Sequence, residues 1–231
     1  MAGLVKEYRE KMVTDEEKWR EFKPIDIVRC FHNAFRRDLA EIDEATLNAT
    51  KNGGELSPIL DRIKVVGEIL DYHAIGEEAA VFPAVDKIVP SYSQTYNTDH
   101  RELDKMVAGF KEISPEPDPL SATRATAIFK SHLKIHLFKE DAYLYPFLRE
   151  QARIDEQESI LGTMAKKIPS EQTPTLIKWL FPLLGHKDRA IVTRSWMNMM
   201  PPQVFSGIKS LIKETLDKDW RELTHRVPEL T

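Results

Sequence analysis

Two stretches of this chain share one thirteen-residue pattern. The first is His73-Ala-Ile-Gly-Glu77-Glu78-Ala79-Ala-Val81-Phe82-Pro83-Ala-Val85, and the second is His136-Leu-Phe-Lys-Glu140-Asp141-Ala142-Tyr-Leu144-Tyr145-Pro146-Phe-Leu148. Both read H-x3-E-[ED]-A-x-[VL]-[FY]-P-x-[VL], with eight defined positions at identical spacing, which chance explains poorly. Residues four apart lie on one face of a helix, so each copy projects an imidazole and a carboxylate together. Nitrogen and oxygen donors grouped in this way suit a divalent or trivalent metal such as iron or zinc.

Metal chemistry needs these donors to converge, and the elements between them predict that they do. Ile27, Cys30, Phe31, Phe35, Leu39 and Ile42 recur at helical spacing, so a helix runs from Pro24-Asp26 to about Asn52, where Gly53-Gly54 stops it. Ser57-Pro58 opens the next helix, which carries Leu60, Ile63, Val66, Leu70 and the first copy. His32 lies 21 residues before Gly53 and His73 lies 20 after it, which sets them level in an antiparallel hairpin. A further helix holds His100, Leu103, Val107 and Phe110, and Ser91 with Gln94 has the form of a capping box for it. Ser114-Pro-Glu-Pro-Asp-Pro119 is a loop. The helix beyond it, Ser121 to Arg153, contains the second copy, and His100 and His136 are nearly equidistant from the loop. Both mismatches amount to about 3 Å or less at ~1.5 Å per residue. Between the hairpins, a turn at Pro90 leaves His73 and His100 about 10 Å apart in height unless the helix bends or ends near Pro83. Each proline of the pattern removes a helical hydrogen bond and presses on the carbonyl four residues earlier, at Ala79 or Ala142, so a kink is expected at both.

Two facing hairpins therefore predict an all-α, up-down four-helix bundle. Its metal-ligating residues are His32, His73, Glu77, His100, His136 and Glu140: four imidazoles and two carboxylates, a set for two metals bridged by the glutamates. His132, one turn before His136, is open to three readings: a seventh ligand, a hydrogen-bond partner of a ligand, or a buried neighbour. Glu78 and Asp141 are read as solvated or as partners of ligands. Cys30 is read as core packing, and His186 and His225 as surface residues. A lone H-x3-E would carry little weight, since polar pairs at this spacing are common on exposed helices; the duplication and the level-matched histidines give it meaning.

Flanking segments extend the bundle. Residues 1–23 carry a thin apolar stripe (Leu4, Tyr8, Met12, Trp19), an amphipathic helix expected to pack on it. Residues 24–153 form the bundle. In residues 154–231, Pro169, Pro174, Pro182, Gly185 and Pro201-Pro202 interrupt short helical stretches that hold Trp179, Trp196 and Trp220. This is a helical extension packed on the bundle, without chemistry of its own and with a protein partner as one use.

Composition is that of an ordinary globular protein: 231 residues, 42% hydrophobic and 30% charged. A net charge of −4 without a basic block argues against nucleic acid as a partner. One cysteine excludes an internal disulfide and favours a reducing cytoplasm. The first residues lack the apolar core of a signal peptide, and no run approaches the ~20 apolar residues of a membrane span, so a cytoplasmic protein without membrane contact is expected.

With these residues in place the chain resembles the hemerythrin-like (HHE cation-binding) domains. The resemblance rests on His32 in HNAFRRDL, His73 and Glu77 in HAIGEEAAVFP, His100 in DHRELD, and His136 and Glu140 in HLFKEDAYLYP, and covers about residues 24–150. It implies two iron ions with glutamate bridges and an oxo or hydroxo bridge. The oxygen-carrying hemerythrins have a further histidine four residues after the equivalent of His100, where this chain has Asp104, which argues against simple reversible oxygen carriage. The six-residue set instead resembles bacterial di-iron proteins linked to nitric oxide, peroxide and iron–sulfur repair, and the iron-sensing domain of an F-box protein. About two of roughly twelve coordination positions stay open in such a centre. The function expected is binding or sensing of a small oxidant (dioxygen, nitric oxide or peroxide), with peroxide decomposition as an activity to test. The alternative is an iron-sensing or iron-handling module whose metal-dependent fold a partner reads.

Overall fold

A computed structural model describes residues 22–111 and 118–231. The amphipathic helix expected within residues 1–23 lies almost wholly outside this range, as does most of the Pro-rich loop. Every regular element among the described residues is helical. A 3-10 turn, Pro24–Ile27, leads into α1 (Val28–Asn52), followed by α2 (Ser57–Gly76), α3 (Phe82–Asp86), α4 (Gln94–Lys111), α5 (Pro119–Lys139) and α6 (Tyr145–Gln151). Helix α1 packs along α2 and α5, and α4 packs along the same two, which closes an up-down four-helix ring. Gly67 allows one of these approaches: a Cβ there would meet Val107 Cγ1 of α4 at 2.7 Å.

The distortion expected at each proline takes the form of a π-helical turn. Glu77–Val81 joins α2 to α3, and Glu140–Leu144 joins α5 to α6. Pro83 and Pro146 have no N–H to offer the preceding turn and would crowd its carbonyls. Instead the residue before each proline reaches back five positions, Phe82 N–H to the Glu77 carbonyl and Tyr145 N–H to the Glu140 carbonyl. One extra residue per turn widens the helix, and such turns recur at functional sites. Here each opens on the glutamate of the pattern.

One expectation needs correcting. The Ser91–Gln94 capping box does not form: Ser91 is left-handed at φ 65°, and the Gln94 N–H bonds its backbone carbonyl at 3.2 Å. Asp86 instead takes the N–H and hydroxyl of Ser93, the residue just before α4. The helix widens at the first π-turn and ends at Asp86, close to Pro83, as the spacing allowed. Residues 87–93 are turns, and His73 and His100 both reach Glu77, each at 3.3 Å.

The extension comprises α7 (Ile154–Ala165), α8 (Thr173–Leu183), α9 (His186–Met199), α10 (Pro202–Leu216) and α11 (Trp220–Arg226), with short 3-10 turns between them. It shares one apolar core with the bundle, Phe35 and Ile42 being continuous with Ile177, Leu180 and Phe181. Polar bonds cross the seam. The Trp179 indole N–H donates to the buried Asp38 carboxylate at 2.5 Å, and the Ile25 N–H donates to the buried Gln157 amide oxygen at 3.3 Å. Helix α7 packs directly on the first π-turn. Gly76 permits this, since a Cβ there would lie 3.2 Å from Met164 Cβ. Between bundle and extension lies a cavity of about 470 Å³, lined by Ile27, Phe31, His73, Met164, Met199 and Trp196 among others.

Candidate metal centre

The six residues singled out by spacing meet at one point inside the bundle. His32, His73, Glu77 and Glu140 offer ligand atoms within 4.8 Å of one another, and so do Glu77, His100, His136 and Glu140. The two groups share both glutamates, one from each π-turn. Each carboxylate spans the pair. Glu77 Oε1 lies 3.3 Å from His73 Nε2, and its Oε2 lies 3.3 Å from His100 Nε2. Glu140 Oε1 lies 3.2 Å from His136 Nε2, and its Oε2 lies 3.5 Å from His32 Nε2.

Burial makes this arrangement costly without a cation. Glu77, Glu140 and His32 are fully buried, and His100 and His136 nearly so. Glu77 Oε2, both oxygens of Glu140 and His100 Nε2 are buried without a hydrogen-bond partner. Four unsatisfied donor atoms facing one another inside a protein are a heavy penalty unless something else binds them. The donor set therefore fits metal cations. In their absence the two carboxylates diverge. Burial pushes Glu140 well above the usual carboxylate range, and Glu77, Asp141 and Asp99 add to it. Burial opposes ionisation of Glu77 as well, yet His73 and His100 hold it well below that range.

Carboxylates behind the histidines orient them. His32 Nδ1 lies 2.9 Å from Asp141, which is paired with Arg36. His100 Nδ1 lies 3.0 Å from Glu78, which Arg101 grips through both oxygens at 2.7 Å. His136 Nδ1 lies 3.3 Å from Asp99, which is paired with Lys139. Burial lowers the basicity of His32 and His136, only partly offset by Asp141 and Asp99 respectively, and favours the neutral imidazoles that metals require. Burial also acts against charge on His100, but Glu77 and Glu78 raise it overall. Glu78 and Asp141 are thus hydrogen-bond partners of His100 and His32 and not solvated side chains. Each serves the histidine of the opposite hairpin.

His132 stands apart. It is exposed, its Nδ1 lies 3.0 Å from the Ile128 carbonyl one turn back, and it belongs to neither ligand group. His186 and His225 are exposed on the extension, and Cys30 is fully buried in the core. Two residues at the centre escaped the spacing argument. Tyr145 is buried and donates its hydroxyl to Glu77 Oε1. Asp99 sits beside His100 in sequence yet serves His136. The aromatic position of the repeated pattern signalled the first; nothing in the spacing signalled the second.

Residues 23–148 match the family described as the hemerythrin HHE cation binding domain. The chain belongs to that family. Among curated proteins it is similar to a BRUTUS-like zinc finger protein of Arabidopsis thaliana, 24% identical over 195 residues, covering 76% of this chain and 16% of that protein. It is also similar to the zinc finger protein BRUTUS of the same plant, 25% identical over 167 residues, covering 69% and 13%. The chain therefore spans less than a fifth of the length of the relatives it matches. These alignments are longer than the family match, so the likeness reaches beyond the bundle. No solved structure matches the chain. Cation binding is thus the family's property, and no helix among the described residues is long and apolar enough to cross a membrane.

Proposed function

We propose that this chain holds two iron ions through His32, His73, Glu77, His100, His136 and Glu140, and uses them to bind or sense a small oxidant such as dioxygen, nitric oxide or peroxide. The observation that carries this reading is the sharing of two buried carboxylates by two pairs of histidines. Six residues supply about eight of the roughly twelve donor positions that two six-coordinate ions require, so positions remain for a small ligand. Bound iron would supply the redox chemistry. The protein's part is to fix each imidazole through Asp141, Glu78 and Asp99, to hold Glu77 through the Tyr145 hydroxyl, and to keep bulk water out with Phe35, Phe82, Leu137 and Leu144, all buried.

Metal analysis with an optical spectrum, before and after peroxide and nitric oxide, tests the proposal. Two irons per chain and an absorption band that responds to either reagent are expected; zinc alone in protein grown with iron would refute it. Loss of added peroxide over time separates decomposition from sensing.

A second reading, an iron-sensing or iron-handling module whose fold a partner reads, is favoured by one contact. Helix α7 of the extension rests on the π-turn that begins at Glu77, with Gly76 against Met164. Under this reading chelation exposes sites in residues 154–231 to protease. An unchanged digestion pattern and melting temperature would count against it.

A further inference from the structure

The two hairpins are related position by position, and the relation fails in two places. His32 and His73 on the first hairpin correspond to His100 and His136 on the second, Glu77 to Glu140, and Glu78 to Asp141. Asp99, the residue before His100, serves His136 Nδ1. Its counterpart Phe31, the residue before His32, instead stacks on the His73 ring at 6.3 Å. Tyr145, whose ring lies 5.6 Å from His32, bonds Glu77; its counterpart Phe82, whose ring lies 5.1 Å from His100, has no hydroxyl to offer Glu140.

Both departures weaken the same half of the centre. A metal between His100 and His136 would meet Glu77 Oε2 and Glu140 Oε1, both free of hydrogen bonds, and two imidazoles whose outer nitrogens already face carboxylates. A metal between His32 and His73 would meet Glu77 Oε1, one of whose lone pairs is already engaged by Tyr145. Behind His73, Phe31 stacks on the ring, whereas Asp99 supports His136 through Nδ1. His73 also lines the 470 Å³ cavity, whereas His32, His100 and His136 do not.

We infer that the two metal positions are unequal: the His100/His136 position fills first and holds tightly, and the His32/His73 position is the weak, exchangeable one, with Tyr145 and Phe31 setting the difference. This inference rests on the two-metal reading above. Partners of ligating histidines change metal affinity by roughly 10–100-fold, which sets the scale of the gap.

Titration of metal-free full-length protein with Co²⁺, followed by its visible absorption and by competition with a chelator, tests it. Two steps separated by about tenfold or more are expected in the wild type. His73→Ala should abolish only the weaker step and His136→Ala the tighter one. Asp99→Asn should weaken the first step, and Tyr145→Phe should tighten the second several-fold while leaving the first in place. A role of Tyr145 in folding alone would lower the melting temperature of the metal-free protein and weaken both steps, which overturns its assignment. Two equal steps, or loss of the tight step in His73→Ala, overturn the order of filling. No bound cobalt, and no iron in the parallel anaerobic titration with Fe²⁺, would instead remove the two-metal reading itself.

Discussion

The two copies of the thirteen-residue pattern have the same local structure and different surroundings. Each places a histidine on the last full turn of a long helix, opens a π-turn on its glutamate and closes that turn against a proline. Each sends its next acidic residue across to the lone histidine of the other hairpin. Beyond that they diverge. The first copy lies under α7 of the extension and beside the cavity, and its aromatic residue is Phe82. The second supplies the Tyr145 hydroxyl that engages the glutamate of the first. Local sequence repeats the histidines and glutamates; the residues packed around them differ.

The largest expected effect removes what the copies share. Glu77→Ala combined with Glu140→Ala should reduce bound metal from two ions per chain to nearly none, as measured by metal analysis. One ion retained would mean that the histidine pairs act independently and that the bridging carboxylates are dispensable. Packing on the first copy comes next. Gly76→Leu drives a side chain into Met164 and should cost about 1–3 kcal/mol in thermal unfolding. The matching change in the second copy, Lys139→Leu, removes the Asp99 partner but forces no such collision, because Lys139 is partly exposed. Equal losses would show that the extension does not press on the first π-turn.

At the seam, Trp179→Phe leaves buried Asp38 without its indole donor and should cost about 1–3 kcal/mol. Asp38→Asn as a second change should shrink that loss, and a full additive loss would deny the bond. Acid, compared between wild type and Asp141→Asn, tests the second copy's contact with His32. Asp141 is mostly buried, which opposes its ionisation, yet His32 and Arg36 bring its carboxyl down from 3.8 to about 2. A depressed acid stabilises the fold above its unfolded value, and that contribution is lost as pH falls from about 4 towards 2. It amounts to about 2 kcal/mol, and urea midpoints across this range should fall more steeply in wild type than in Asp141→Asn. The smallest effect is expected at His132, where His132→Ala should leave metal content unchanged. A lost ion would restore this exposed residue to the ligand set.

Much of the centre was legible before any coordinates. Repetition selected His73, Glu77, His136 and Glu140, and distances from two loops added His32 and His100, because a helix converts residue number into height at a fixed rise. The conversion faltered between the hairpins, where residues 87–93 are turns and follow no helical rise. It was also silent on Tyr145, Asp99 and Phe31, whose roles depend on which helix each faces. The three readings of His132 could not be separated from spacing, since residues four apart share a face of the helix, yet His132 is exposed and His136 buried.

The amino-acid sequence alone determined an all-helical chain, the family and the six convergent side chains, since helical periodicity and turn chemistry act over a few residues. Only the tertiary structure decided that the prolines produce π-turns rather than simple kinks, that Asp141 and Glu78 cross between hairpins, and that the two halves of the centre differ. Those outcomes depend on contacts between residues far apart in the chain, such as Tyr145 with Glu77 and Asp99 with His136, and such pairings carry no local signature.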